Sequence, residues 1–522
     1  MPVMTGSRSY YITTPIYYVN DRPHIGHAYT TLACDVLARF KRLDGYRVMF
    51  LTGTDEHGQK VEKSAHAKGI DPQAFTDEVS RNFRDLASVM KYSHDDFIRT
   101  TEPRHKAACA ALWKQLVDRG DIYAGKYAGW YAVRDEAFYA ESELQTAPDG
   151  TRIAPTGAPV EWVEEPSYFF RLSAWQDKLL RFYDEHPDFI APESRRNEVI
   201  SFVQGGLQDL SVSRTTFRWG VPVPGDSEHI MYVWLDALTN YLTATGYPDT
   251  GHERYKAFWP ADLHMVGKDI LRFHAVYWPA FLMAADLPLP KRIFAHGWWT
   301  NEGQKISKSL GNVIDPYELV GTFGLDQTRY FLLREVPFGN DGVFSRQAFV
   351  RRMNTELAND LGNLVQRTLS MIAKNCGGKV PEVGVLEDSD RHMLDSAYGL
   401  LDVLREQLDR QAFHEALESI WVIVRAANAY VDHQAPWSLR KTDPKRMETV
   451  LWVLAESIRQ VALLMQAFVP DGAGRILDQL GLGQEQRGFD TFGPRFALVT
   501  GSELPAPQGI FPRYAEEEVV RS

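Results

Sequence analysis

Apolar and polar positions switch between two periods along the chain. Tyr10–Thr14 is a β-type run, and a polar loop through Asn20, Asp21, Arg22 and Pro23 follows it. Ala28, Leu32, Val36, Leu37, Phe40 and Leu43 then recur at helical spacing, with Gly45 placed to stop the helix. Val48–Leu51 reads as a buried strand running into Thr52, Gly53, Thr54 and Asp55. Strand, helix and strand predict a βαβ start, hence a parallel sheet whose site lies at the C-terminal edge of its strands.

Two more helices are expected, one through Phe75, Val79, Phe83, Leu86 and Met90, the other through Ala108, Leu112 and Leu116. From Ile122 to about Val223 the chain turns rich in Tyr, Trp, Gly and Pro, with hairpin-like stretches at Gly125–Tyr131 and Phe138–Leu144. This reads as a domain inserted into the sheet domain, which resumes with short apolar strands at Leu263–Gly267 and Ile293–Gly297. Beyond Phe349 the spacing is helical. Met393–Leu408, Ala412–Ala429 and the stripe Val450, Leu451, Leu454, Ile458, Val461, Met465 and Phe468, ended by Pro470, predict a bundle with a short tail near Phe511–Tyr514. The fold class is therefore α/β, a Rossmann-type parallel-sheet domain with an inserted connective domain, followed by an all-α bundle. The expected boundaries are 1–120 and 226–295 for the two halves of the sheet domain, 121–225 for the insert, 296–350 for a loop-bearing region and 351–522 for bundle and tail.

The 522 residues are 44% hydrophobic and 24% charged, the composition of a folded chain. Lys and Arg number 57 against 68 Asp and Glu, a net charge of −11, which excludes indiscriminate polycation binding but leaves room for local basic faces. Cys34, Cys109 and Cys376 form no C-x-x-C pair, so neither a disulfide framework nor a cysteine zinc site is expected. Met1–Pro15 lacks the apolar core of a signal peptide, and runs such as Val450–Ala455 are far below a membrane span. Cytoplasmic residence with reduced thiols is the expectation.

His24-Ile25-Gly26-His27 sits between a strand-terminal loop and a helix start, where unpaired N–H groups and the helix dipole favour an anion. Two imidazoles three residues apart can hydrogen-bond phosphate oxygens, and Gly26 allows close approach to the backbone. Far downstream, Lys305-Ile306-Ser307-Lys308-Ser309 lies between Gly303 and Gly311. Two lysines in such a loop suit a clamp on a polyphosphate leaving group. Taken singly, the first motif reads equally as structural histidines near a helix start, and either lysine alone reads as part of a solvated loop.

In this order, and separated by an insertion, the pair resembles the H-I-G-H and K-M-S-K-S signatures of class I aminoacyl-tRNA synthetases, with Ile306 in place of Met. Within that class Tyr11–Asn20, Leu51–Gly58, Tyr232–Ala237 and Gly267–His274 resemble the methionyl-tRNA synthetase family. The resemblance implies ATP-dependent activation of L-methionine and its transfer to tRNA(Met), initiator included, with Mg²⁺ accompanying the nucleotide. It implies ATP contacts from His24, Gly26, His27, Gly267, Asp269, Lys305, Ser307 and Lys308, the histidines and lysines being catalytic. It places Ile16, Tyr18, Asp55, Trp234, Tyr241, Phe273, His274 and Trp278 around methionine. Thioether-friendly aromatic walls and one anion for the substrate ammonium agree with that set.

The resemblance also assigns anticodon reading to Asn363, Arg367 and Trp437. Residues 346–379 carry six basic side chains against Glu356 and Asp360, and residues 434–446 carry four against Asp443. Those are local basic faces of the kind that nucleic acid requires. Unlike many family members, the insert has Ala132 and Asp135 where a C-x-x-C zinc knuckle would stand, so no structural zinc is expected, and packing of Tyr127, Trp130, Tyr131, Phe138 and Tyr139 must hold it. No appended dimerisation domain follows the bundle, which favours a monomer. Class I enzymes for leucine, isoleucine, valine or cysteine, and a non-catalytic tRNA-binding protein, are the rival readings; the short insert weighs against the first three, the absent cysteine ligands against the fourth and the intact motifs against the last.

Overall fold

A computed structural model describes residues 8–19, 22–301, 304–305 and 313–515. The predicted βαβ start is present. Strand β1 (Ser9–Thr13) leads through β2 (Tyr17–Tyr18) into helix α1 (Ile25–Leu43) and strand β3 (Arg47–Asp55). Helix α1 is capped at its start by His24 and ends at Asp44, with Gly45 at φ +81°, a conformation that a Cβ disfavours. Beyond β3 come helices α2 (Gln59–Ala67) and α3 (Pro72–Val89), strand β4 (Asp96–Arg99) and helix α4 (Pro103–Asp118).

The main sheet is seven-stranded and parallel, in the order Ile190–Ala191, Ile293–His296, Leu263–Gly267, β1, β3, β2, with β4 also on β3. From β1 the sheet grows in both directions, so its centre is a switch point where a cleft opens at the C-terminal strand ends. Every buried apolar side chain of α1 packs into a core shared with the strands and with the helices of the C-terminal region. The stiffest joint is Arg329, fully buried. Its guanidinium donates to Asp35 Oδ2 of α1 (2.7 Å) and to the carbonyls of Met90 (3.1 Å), Ala467 (3.0 Å) and Phe468 (2.9 Å).

Two expectations need correction. The two hairpin-like stretches of the insert are the arms of one hairpin, β5 (Ile122–Ala132) and β6 (Ala137–Tyr139), and β5 pairs along its other edge with Glu161–Phe170. The second correction concerns the boundary at residue 225. Ile190–Ala191 pairs parallel with Ile293–Phe294, so the chain rejoins the main sheet inside the stretch 121–225. A two-residue strand has no period to read.

The insert is held as expected by Tyr127 and Tyr131 against Phe138 (ring centroids 4.5 and 4.9 Å) and by Trp130 against Trp162 (5.4 Å). At its turn, Ala132, Ala154 and Ala158 form a small buried cluster. The C-terminal region is helical, including Asn363–Asn375, Phe413–Gln434 and Pro444–Met465, while the expected Met393–Leu408 helix is interrupted at Gly399. The tail packs back on this bundle through Trp452 Nε1 on the Leu498 carbonyl (3.1 Å) and buried Phe511.

Candidate active site

Four parallel strands deliver Ile16, Tyr18, Asp55 and Gly267 to one edge. Ile16 follows β1, Tyr18 pairs with Asp55 at the ends of β2 and β3, and Gly267 pairs with His296 at the ends of their strands. Helix α1 opens at the same edge. There Thr30 Oγ1 lies 2.7 Å from His296 Nε2, tying the first helical turns to the strand end.

The two motif histidines are locked by backbone amides. His24 Nδ1 accepts from the Gly26 N–H (3.0 Å) and His27 Nδ1 accepts from the His24 N–H (3.0 Å). A ring that accepts at Nδ1 carries its proton at Nε2, so both imidazoles present an N–H donor away from the helix. Their centroids are 4.0 Å apart. Desolvation, and then the neighbouring His24, hold His27 well below the usual imidazole range, hence neutral. A Cβ on Gly26 would lie 2.8 Å from His24 Cε1, so the glycine is what lets the ring fold onto the helix start.

The charge of Asp269 acts on His24, and Gly267 adjoins Asp269 and His296. A Cβ on Gly267 would meet Asp269 Oδ1 at 2.6 Å and approach His296 Cε1 at 4.0 Å. Asp269 is exposed, and its Oδ1 accepts from Trp298 Nε1 (3.2 Å). Of the lysine motif, Ser307 and Lys308 lie outside the described residues, and for Lys305 only the backbone is described. Its strand, Gln304–Lys305, pairs antiparallel with Trp299–Asn301 next to the same sheet edge. On the far side of the loop, the Ile314 carbonyl accepts from the Ile25 N–H at the start of α1 (3.3 Å).

On the amino-acid side, Trp234 stacks on Phe273 with ring centroids 3.9 Å apart and an 8° interplanar angle. Trp234 and Tyr241 do not share one helix: Val233–Leu238 and Asn240–Thr243 are separate turns broken at Thr239. Phe273 and His274 open a π-helical turn, Phe273–Tyr277, of the kind found at functional sites. His274 donates from Nδ1 to the Ile270 carbonyl (2.9 Å) and accepts at Nε2 from the Tyr241 hydroxyl (2.7 Å). Burial lowers its pKa to about 4, so it is a neutral, fully committed ring.

Trp278 is wholly buried and donates to His264 Nε2 (3.3 Å), leaving His264 Nδ1 for Thr13 Oγ1 (2.7 Å). Tyr241, His274 and Trp278 thus form a rigid layer behind the partly exposed Ile16, Tyr18 and Trp234. Asp55 differs from all of these. It is 6% exposed, and its Oδ1 has no hydrogen-bond partner among the described residues. Burial, then the charges of Asp236 and Glu136, push its pKa well above the carboxylate range. Trp234 Nε1 is likewise buried and unpartnered.

Sequence reasoning missed the supports. Asp236 accepts from or pairs with His57 Nδ1 (2.6 Å) and His105 Nε2 (2.7 Å), all three buried. His264 and His296 are polar intrusions in otherwise apolar strand runs, a signal that could have singled them out.

In the bundle, Asn363 and Arg367 lie one turn apart on the helix Asn363–Asn375. The Arg367 guanidinium sits 5.5 Å from the Trp437 ring centroid and pairs with Asp432 (2.9 Å). Trp437 stands in the first turn of a short helix, Pro436–Thr442, which Pro436 starts. It is 45% exposed, which suits base stacking.

Among the described residues no helix is long and apolar enough to cross a membrane. Residues 10–369 match the family model described as tRNA synthetases class I (M), and residues 380–521 match the anticodon binding domain of methionyl tRNA ligase. The chain is 60% identical over 515 residues to a methionine–tRNA ligase of Rickettsia felis, covering 98% of this chain and 99% of that one. It is 58% identical over 508 residues to one from Mesorhizobium japonicum, covering 97% and 98%. A solved structure of Mycobacterium tuberculosis methionyl-tRNA synthetase in complex with methionyl-adenylate superposes with a TM-score of 0.95 at 55% identity, covering 97% of this chain and 100% of that chain. The chain therefore belongs to the methionyl-tRNA synthetases of class I.

Proposed function

We propose that this protein activates L-methionine with ATP, forming methionyl-adenylate and pyrophosphate, and transfers the methionyl group to the 3′-terminal adenosine of tRNA(Met), initiator included. The observation that carries the reading is that a buried carboxylate with a spare oxygen, Asp55, shares one sheet edge with two Nε2–H imidazoles.

The substrate ammonium pairs with Asp55 Oδ1, and the thioether lies against Ile16, Tyr18 and the Trp234–Phe273 stack, shaped from behind by Tyr241, His274 and Trp278. Gly267 and Asp269 hold the ribose. His24 and His27 donate from Nε2 to the phosphates. The methionine carboxylate, already ionised at neutral pH, attacks the α-phosphorus in line, so that a C–O–P bond forms as pyrophosphate leaves. No protein nucleophile is needed; catalysis is positioning and charge stabilisation. Lys305, Ser307 and Lys308 close on the departing pyrophosphate. In the second step a hydroxyl of the terminal adenosine attacks the acyl carbon and releases AMP.

The cluster that could hold a metal among the described residues, His105, Cys109 and Asp236, is buried and already internally hydrogen-bonded. Mg²⁺ is therefore read as arriving on the triphosphate, where it offsets phosphate charge and keeps several waters. The insert works without structural zinc, and the enzyme acts in the cytoplasm as a monomer. Asn363, Arg367 and Trp437 read the anticodon by edge hydrogen bonds and stacking. ATP–pyrophosphate exchange measured with each of several amino acids tests the whole reading: methionine alone should support it, and preference for another amino acid would overturn it.

A further inference from the structure

We propose that Glu136, on the turn of the inserted module, is a positioning residue for the amino-acid pocket, holding Tyr18 and the turn that starts α2 in place. Glu136 is almost fully buried, although it belongs to the loop joining β5 and β6 rather than to the main sheet. Its Oε1 accepts from the Tyr18 hydroxyl (3.0 Å) and the Lys60 N–H (3.1 Å), and its Oε2 accepts from the Tyr131 hydroxyl. Its own carbonyl accepts from the Tyr232 hydroxyl (3.0 Å), two residues ahead of Trp234.

One residue of the insert is thus bonded to three segments that carry pocket residues: β2 with Tyr18, the Asp55–Lys60 segment, and the lead-in to Trp234. Its backbone is fixed at φ +48°, a conformation that a non-glycine residue keeps only when its surroundings over-determine it. Gly58, at φ +113°, completes the fit. A Cβ there would lie 2.6 Å from the Tyr18 hydroxyl and 2.9 Å from Glu136 Oε1. Nothing about this contact involves the nucleotide side, so its loss should act on methionine and spare ATP.

The proposal rests on methionine being the substrate of this pocket, and the full-length chain in ATP–pyrophosphate exchange tests the two separately. If the wild-type chain does not exchange with methionine, the functional reading itself fails. Given wild-type exchange, Glu136→Ala leaves three donors without an acceptor and should raise the methionine KM roughly 10- to 100-fold, with the ATP KM within about twofold. Glu136→Gln should recover most of the loss, because its carbonyl still accepts from Tyr18 and Lys60 while its amide donates to Tyr131.

Tyr18→Phe removes only the hydroxyl and should raise the methionine KM severalfold in the wild-type background. It should add nothing in the Glu136→Ala background, as a coupled pair requires. Should Glu136→Ala not fold, the same cycle is run with Glu136→Gln, where Tyr18→Phe should still raise the KM. An unchanged methionine KM in Glu136→Ala, an equal rise in both KM values, or no effect of Tyr18→Phe would each overturn the proposal.

Discussion

Replacing Asp55 by Asn is the most demanding test of the amino-acid pocket, because affinity and stability should move in opposite directions. In the folded chain the carboxylate is buried and its Oδ1 unpartnered, so its desolvation has already occurred before methionine arrives. An ammonium at roughly 4 Å in an effective dielectric near 20 gains about 4 kcal/mol, from which desolvation of the ammonium is subtracted. A net loss of roughly 2–4 kcal/mol corresponds to a rise in methionine KM of about 30- to 700-fold. The ATP KM should hold, since no nucleotide contact is touched.

The sign for stability is the reverse. Asp55 has a pKa raised on folding by burial, then by Asp236 and Glu136, so the native state binds its proton more tightly than the unfolded chain. Stability therefore falls as pH rises from the ordinary carboxylate range through the raised value, and above that value the full penalty applies. Asn removes that penalty, so the free variant should melt higher than wild type at a pH above the raised value and no higher at a pH below both values. Methionine binding to wild type should weaken as pH falls through the raised pKa, and this acid limb should vanish in Asp55→Asn. Exchange kinetics across pH and a thermal melt of the free enzyme suffice. A variant with a methionine KM within about fivefold of wild type would refute the ammonium role.

Lys308→Ala should slow ATP–pyrophosphate exchange by orders of magnitude while leaving methionine binding largely intact, measured by equilibrium titration; wild-type exchange would remove the clamp. Trp437→Ala, at a half-exposed ring, should damage aminoacylation far more than adenylate formation, and equal loss in both would point to folding instead. Arg329→Met should destabilise the chain by about 3–5 kcal/mol, seen as a lower denaturant midpoint, because it takes from buried Asp35 its fully buried cation and from three carbonyls their donor, leaving Arg39 and Ser93 as the remaining partners. Burial alone would raise the pKa of that carboxylate, and Arg329, then Arg39 and Ser93, hold it below the usual range.

What the sequence made legible follows the range of the interactions. The His24–His27 motif is readable because its whole geometry, ring acceptors on amides two and three residues away, is local. The helix Pro444–Met465 was readable as a stripe but not as buried all round. Glu456, Arg459 and Gln460 on its other face bond one another and the carbonyls of Thr491 and Gly493, because the tail folds over it. His264, on Thr13, and Glu136, on Tyr18, depend on partners 251 and 118 residues away, and no spacing rule reaches that far. The π-helical turn at Phe273–Tyr277 is invisible to a helical period, because its i→i+5 bonding departs from that period.

The deeper limit is that a sequence names polar residues without saying which of them have hydrogen-bonding capacity to spare. Family resemblance put Asp55, Tyr241, His274 and Trp278 on an equal footing around methionine. In the fold the last three are spent on protein: Tyr241 on His274, His274 on the Ile270 carbonyl, Trp278 on His264. Such saturated groups offer a ligand shape and nothing else, because engaging one would break a buried bond worth about as much as the bond gained. Asp55 Oδ1 and Trp234 Nε1 are buried without partners among the described residues, which leaves them hydrogen-bonding capacity to offer a ligand. Discrimination at this pocket therefore divides into two physical parts. On the proposed reading the ammonium meets the unpaired carboxylate, whereas the side chain meets walls backed by Tyr241, His274 and Trp278, whose polar groups are already engaged.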